Sequence, residues 1–293
     1  MANVYEIVTE KIVKQLEAGI APWRKPWKAE APCNLVSGKA YRGINPFLLA
    51  PQGYGSRYWL TYNQAMKLGG NVRKGEKSSI VTFWNIGEEK LIRDSNGNER
   101  KSKPILLKYF NVFNLEQTEG IAEKLGIGKS SPRVPDIQAC ERIIADMPNK
   151  PALAQHVQAS YRPSTDTVSM PARSAFSSIE SFYSTYFHEL THSTGHASRV
   201  GRDGIQHVEQ FGSESYSKEE LIAELGAAML CGVTGIIPAT LDNSTAYLQS
   251  WIRVLKGDSK LIVQAASAAQ KAADYIRNTS VKFEDIATES EAA

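Results

Sequence analysis

Phe187-His188-Glu189-Leu190-Thr191-His192-Ser193-Thr194-Gly195-His196 is the stretch that decides how this chain is understood. In a helix His188 and His192 lie one turn apart on the same face, so both imidazoles can reach one metal ion, and Glu189 projects beside them. The surrounding sequence predicts that helix. Ser177 and Glu180 form an S-x-x-E capping box, and Ile179, Phe182, Tyr183, Tyr186, Phe187 and Leu190 recur at spacings of three and four. Gly195 suits the left-handed residue that ends such a helix. Three of the five histidines fall within these nine residues, 188–196, on the polar flank of the apolar stripe.

A catalytic zinc site needs a third protein donor and an open fourth position for water. His196 is a poor donor, because eight residues of helix rise about 12 Å. An H-E-x-x-H-x-x-G-x-x-H site would need histidine where the chain has Ser198. A better source is Ser217-Lys218-Glu219-Glu220-Leu221-Ile222-Ala223-Glu224-Leu225-Gly226-Ala227-Ala228, which is expected to open with a Ser217–Glu220 capping box and continue as a helix. Glu220 and Glu224 share a face, whereas Glu219 is expected to point elsewhere. One carboxylate could bind the ion while the other accepts the N–H of a ligating imidazole and fixes its tautomer. The plainer alternative leaves Glu220 as a cap and Glu224 in solvent.

An H-E-x-x-H helix followed by a helix carrying E-x-x-A-E-L-G resembles a zincin metallopeptidase with a glutamate third ligand. The resemblance implies His188 and His192 as ligands, Glu189 as general base, Glu220 as third ligand and Glu224 as the carboxylate behind an imidazole, with exchange of the last two left open. It also implies Zn²⁺, with another divalent ion such as Mn²⁺ as the alternative.

The 293 residues suffice for two domains, and 42% hydrophobic content can fill real cores. No apolar run approaches the ~20 residues of a membrane span, and Met1 to Glu6 begins an acidic amphipathic segment instead of a basic, then apolar, signal. A cytoplasmic protein without membrane partners is expected. Cys33, Cys140 and Cys231 are widely spaced and odd in number, which suggests neither a disulfide framework nor a thiolate metal site. The net charge of +3 conceals a division: residues 1–130 hold 20 Lys and Arg against 12 Asp and Glu, and residues 131–293 hold 14 against 19. The basic half is where an anionic polymer would bind.

That half interleaves cations with aromatic rings. A helix over 3–18 ending at Gly19 precedes Trp23, Arg24, Lys25, Trp27 and Lys28, between and beside two prolines. Tyr41 and Arg42, then Arg57 and Trp59, then Arg73, Lys74 and Lys77 repeat the mixture. Rings that stack bases beside cations that pair phosphates are what a groove for single-stranded nucleic acid uses. For the tryptophans of the 23–28 stretch, core anchoring is an equal alternative. Strands are expected at Ser79 to Trp84 and Ile105 to Phe113, joined by a charged hairpin with Ser95-Asn96-Gly97-Asn98 at its tip.

The P-W-x-K-P-W stretch, Y-R-G-I-N-x-x-L-L, G-G-x-V-R-K-G-E-K and Y-F-N-V-F-N resemble the N-terminal domain of the ArdC family of plasmid antirestriction proteins, which is also found fused to plasmid primases. Members pair it with an H-E-L-x-H-S-T-G-H zincin domain, so the resemblance covers nearly the whole chain. It implies single-stranded DNA binding and protection of incoming plasmid DNA from host restriction, with an unidentified protein substrate that could belong to the restriction machinery.

Glycines, serines and prolines between 114 and 135 predict a linker, giving an α+β chain of two domains: a small mixed α/β DNA-binding domain (1–128) and a zincin-like helical domain with a β-hairpin edge (129–293). In the second, a helix is expected at 136–147. A hairpin of Val157 to Tyr161 and Asp166 to Met170 would serve as substrate shelf or as scaffold. Packing helices are expected at 246–255 and 259–277, and a disordered acidic tail over the last eight residues. The rival readings are a non-catalytic DNA-coating protein with a structural metal, and a DNA mimic, which the basic half disfavours.

Overall fold

The computed structural model describes residues 3–24, 31–86, 90–93, 99–102, 105–128, 134–206, 214–236 and 245–279. Lys25, Trp27, Lys28, the hairpin tip 95–98, the 129–133 part of the expected linker and the last eight residues lie outside them.

Helix α1 (Val4–Glu17) opens on Asn3, whose side chain and that of Glu6 form a reciprocal capping box, and Gly19 at φ 80° turns the chain away from its end. Strand β1 (Cys33–Asn34), helix α2 (Asn45–Leu49), strand β2 (Tyr58–Leu60), helix α3 (Tyr62–Lys67) and strand β3 (Asn71–Val72) follow. Strand β4 (Ser79–Ile86), the hairpin β5 (Lys90–Arg93) and β6 (Glu99–Ser102), strand β7 (Ile105–Asn114) and strand β8 (Thr118–Glu119) complete this half. One sheet runs β1-β2-β7-β4, and β4 pairs antiparallel with β7 from Ser79↔Val112 to Ile86↔Ile105. The period-2 alternation of β4 separates two faces. Ile80 and Trp84 join the core that contains α1, while Val81 and Phe83 join Tyr41, Leu49, Trp59 and Val112 in a second cluster. The side chain of Asn45 bonds both the N–H (2.7 Å) and the C=O (2.8 Å) of Thr82, which occupies the outer edge of β4.

The expected linker is structured as far as residue 128. Strand β8 pairs with β3, and Ile121 is wholly buried with Leu60, Ala65 and Leu115. Gly70 makes this possible, since a Cβ there would lie 2.3 Å from an Ile121 side-chain carbon.

The second half begins with α4 (Ile137–Asp146), capped by Asp136, and a three-stranded sheet ordered β10-β11-β9. Strands β10 (Ser160–Arg162) and β11 (Thr167–Met170) form the expected hairpin, shortened at its start. Strand β9 (Ala152–Gln155), which the sequence did not suggest, pairs in parallel with β11. Its four residues are all exposed, so it shows no alternation to detect. Then come α5 (Ile179–Ser193), α6 (Asp203–Gln206), α7 (Glu214–Thr234), α8 (Thr245–Gly257) and α9 (Leu261–Ile276). Central α7 packs against both α5 and α9, whose buried Ala265, Ala266, Ala269, Ala272 and Ala273 permit close approach. No helix among the described residues is long and apolar enough to cross a membrane.

Three capping expectations fail. Ser178, not Ser177, caps α5 by accepting from Ser181 N–H, without a capping box. Helix α7 begins at Glu214, which puts Ser217 inside it and releases Glu220 from any capping role. Gly195 does not have positive φ; instead a Cβ there would stand 2.5 Å from Ile205, so glycine serves the close return of the chain.

One core joins the two halves. Val8, Ile12, Leu16 and Trp23 are buried in the same cluster as Leu190, Leu221, Leu255 and Ile262, and α1 packs mainly on α8. Ile12→Ala is therefore expected to cost about 2–5 kcal/mol and to lower the urea midpoint of the second half in the same transition. A separate, unshifted transition for residues 134–279 would show that α1 is not part of that core.

Candidate metal centre

Helix α5 presents His188 and His192, and α7 presents Glu220 across from them. His188 Nε2 and His192 Nε2 lie 3.1 Å apart, and each lies 3.6 Å from a Glu220 carboxylate oxygen. Four-coordinate zinc with bonds of about 2.0–2.1 Å puts its donors about 3.3–3.4 Å apart along a tetrahedral edge. The observed separations bracket that value, and the donor set of two imidazoles and one carboxylate suits a divalent cation. Among the described residues this is the one cluster of three such donors.

The rotation of α7 decides which glutamate does what. Glu219, one residue before the third donor, places Oε1 3.3 Å from His192 Nδ1, leaving Nε2 toward the triad. Arg202 in turn donates to both Glu219 oxygens (2.9 and 2.5 Å), to Thr194 Oγ1 and to the Thr191 carbonyl. Burial would push the Glu219 carboxyl up, but its bonds from Arg202 and His192 outweigh that and hold it below the usual carboxylate range. Glu224, expected behind an imidazole or as an alternative ligand, is elsewhere. It accepts from Trp23 Nε1 (2.5 Å), from the Tyr247 hydroxyl and from Arg24 Nη2 (3.3 Å). A helix turn separates it from Glu220, which carries it to the wall of the cleft, away from the imidazoles.

Helices α5 and α7 must approach closely for these donors to meet. At Gly226 a Cβ would stand 2.5 Å from Thr191 Cγ2, so glycine is needed where the helices touch. Thr191 Oγ1 spends its hydrogen bond on the Phe187 carbonyl (2.7 Å) and leaves its methyl for the contact.

Glu189 is 8% exposed, and burial raises its pKa above the ordinary carboxylate value despite the two nearby imidazoles. The backbone N–H of Tyr161 on edge strand β10 faces the carboxylate and opposes that rise only slightly. Arg199, a residue the sequence did not single out, holds that strand in place. It donates to the Ser193 carbonyl at the end of α5 (2.8 Å), to the Asn149 carbonyl (2.6 Å), to Asp166 and to the Tyr161 hydroxyl (3.3 Å). Only a contact map could have found it, because its partners lie 6 to 50 residues away. His188 and Glu189, with Ser184 and Thr185 of the same helix, open onto a cleft of about 240 Å³, whose other walls come from α7, Ala159 and the turn holding Trp23 and Arg24. His196 bonds Ser198 Oγ (2.8 Å) and takes no part in the triad.

Among the described residues, the candidates for DNA binding do not form one surface. Trp23 (1% exposed), Arg24, Tyr41 and Trp59 are buried, the first two inside the shared core region and the last two in the cluster beneath the sheet. Arg42 is paired with Asp274 of α9, and Arg57 is half-buried near the Tyr58 ring. Arg73, Lys74 and Lys77 are exposed on the loop between β3 and β4, with Arg73 also bonding Glu76 (2.6 Å).

A His-Glu-x-x-His helix faced by a glutamate from a second helix, beside a mixed α/β region that shares its core, defines a zincin-like protein of two parts. Residues 138–268 match the family of zincin-like metallopeptidases and residues 2–113 match the N-terminal domain of the anti-restriction factor ArdC. The crystal structure of the antirestriction ArdC protein from plasmid R388 is similar over 96% of this chain and all of that one, at 38% identity, with a TM-score of 0.76 for its metal-free form and 0.73 for its Mn(II)-bound form. An uncharacterized protein, y4eC, of Sinorhizobium fredii is 32% identical over 94% of this chain and 91% of its own length. Two DNA primases TraC of Escherichia coli are 38% and 37% identical over 93% of this chain, which spans only 20% and 27% of their lengths. The chain belongs to the ArdC antirestriction family.

Because Glu219 orients His192, Glu219→Ala is expected to weaken metal binding about 10–100-fold, read by competition with a chelator. Glu224→Ala should stay close to wild type in the same titration. The reverse order would return Glu224 to the imidazole.

Proposed function

We propose that this protein is an antirestriction factor with two working sites: a basic surface of the N-terminal half that binds single-stranded DNA, and a metal centre that hydrolyses a peptide bond. The observation that carries the second is the convergence of His188, His192 and Glu220 beside a buried glutamate on an open cleft. Zn²⁺ fits the donor set, with Mn²⁺ the alternative suggested by the Mn(II)-bound relative.

When bound there, a divalent cation polarises a carbonyl and makes water a stronger acid. Glu189, its proton affinity raised by burial, takes the proton from the attacking water and delivers it to the leaving nitrogen. Strand β10 lies at one end of its sheet, so an extended substrate can lie along it through backbone hydrogen bonds. His188 remains 18% exposed and Glu220 29%, so the triad is open on the side a substrate would enter.

For DNA, the loop cations Arg73, Lys74 and Lys77 replace the buried tryptophans as the leading contacts, and Tyr62 (53% exposed) and Tyr109 (44%) offer rings for bases. The setting would be the cytoplasm, where entering plasmid DNA meets the host restriction machinery, which is also the leading class of protein substrate. A second reading, protection by coating DNA with the metal as a structural element, is supported by the same basic loop and needs no turnover.

Glu189→Gln should keep its metal and lose about 10²–10⁴-fold in peptide hydrolysis. Full protection of DNA by that variant in cells would favour coating, and undiminished hydrolysis would exclude Glu189 as proton carrier. Replacing Arg73, Lys74 and Lys77 together by alanine should flatten the salt dependence of single-stranded DNA binding by about 2 units of log–log slope, at roughly 0.7 per lost phosphate contact. An unchanged slope would move the DNA site off this loop.

A further inference from the structure

The cleft beside the metal centre is built from both halves of the chain. Helix α7 gives it small residues, Ala227 and Ala228, Ala159 adds another before β10, and the far wall is Trp23 and Arg24 from the turn after α1. The space exists because those three alanines have no more than a methyl group to put into it. At about 240 Å³ it is smaller than the ~300–1,000 Å³ of pockets for whole small molecules, and it suits one side chain.

The far wall is fixed and carries no net charge. Trp23 is 1% exposed, its indole N–H bonds Glu224 (2.5 Å) and the Tyr247 hydroxyl (3.1 Å), and its ring meets Trp251 edge-on at 6.2 Å. The Arg24 guanidinium lies 3.7 Å from the Tyr247 ring centroid and pairs with Glu224, at side-chain exposures of 7% and 12%. Glu224 thus accepts three donors, and its charge is matched by Arg24. A cationic side chain entering the cleft would have to compete with Arg24 for that carboxylate, and an anionic one would meet Glu224 and Glu189. Apolar side chains meet neither cost.

We infer that Trp23 and Arg24, clamped by Glu224, form the specificity wall of this site, so that the N-terminal segment selects substrates with a large apolar side chain next to the bond Glu189 acts on. The inference rests on the peptidase reading for its meaning, but the pocket can be probed without turnover. Glu224 is a positioning residue here and touches no reacting atom.

The test uses full-length protein loaded with Zn²⁺ and three small hydroxamates that share a metal-binding head and differ in one side chain: methyl, isobutyl or benzyl. Binding is measured by calorimetry for wild type, Trp23→Phe and Ala228→Val. In wild type the isobutyl and benzyl compounds should bind about tenfold or more tighter than the methyl compound. Ala228→Val, which fills the cleft, should abolish that advantage while the methyl compound binds as before. Trp23→Phe should change the ratio of benzyl to isobutyl several-fold. Equal binding of all three by wild type, a ranking unchanged in both variants, or a parallel loss for methyl and benzyl would overturn the inference. If no peptide is ever hydrolysed, the peptidase reading fails while the hydroxamate ranking still judges the pocket.

Discussion

The whole site depends on how closely α5 and α7 lie at Thr191 and Gly226. The two histidines belong to one helix and the completing carboxylate to the other, so a cation can be shared only if the axes come close enough for short side chains to meet. A Cβ at position 226 would be 2.5 Å from a threonine methyl, well inside any tolerable contact, which makes this approach available to glycine alone. A glycine inside a 21-residue helix costs about 1 kcal/mol relative to alanine, and burial of the flanking Leu225, Ala227, Ala228 and Leu230 offsets it. Arg202 secures the same approach from outside by reaching α7 at Glu219 and the end of α5 at Thr191 and Thr194. Such a buried charged network is stable only when every member has a partner, and here Glu219 lies between a guanidinium and an imidazole.

What the sequence could reveal of this site follows from how each residue is placed. His188 and His192 were legible because their relation is set inside one helix by its pitch, and Glu189 follows from its position between them. The helical neighbourhood of Glu220 was legible too. Which of Glu219, Glu220 and Glu224 faces the imidazoles depends on the rotation of α7 about its axis, and that is set by Gly226 against Thr191 and by the burial of Leu221 and Leu225, not by any local signal. Taking Ser217 as a cap misled further, since the helix starts one turn earlier at Glu214. Adjacent residues project about 100° apart, so Glu219 and Glu220 can straddle His192, one on Nδ1 and the other on the side of Nε2.

In the N-terminal half the strands and short helices were readable from alternation, caps and glycines. Thr61 caps α3 with Gln64 completing the box, and Gly69 ends it at φ 77°. The function of individual aromatic residues was not readable. A tryptophan in a loop has no periodicity to tell a buried face from a presented one; Trp23 proves to be the core anchor that was its equal alternative, and Trp59 is buried as well. Arg24 and Arg42 likewise pair with carboxylates 200 and 232 residues away, at Glu224 and Asp274. Exposed cations survive on the loop between β3 and β4, where Lys74 and Lys77 sit in a turn led by Gly75 at φ 89°.

The same long-range pairs that bury Arg24 and Arg42 tie the N-terminal half to the helices around the His188–His192–Glu220 cluster. Glu224 is four residues from Glu220 on a rigid helix, and three of its hydrogen bonds lead to Trp23, Arg24 and Tyr247. Residue 23 is separated from the metal helix by more than 150 residues of sequence, yet it forms part of the cleft that His188 and Glu189 open onto. A shift of α1 or of the turn after it would therefore reach the cleft through Trp23 and Arg24. The contact follows from filling one core with residues from both ends of the chain.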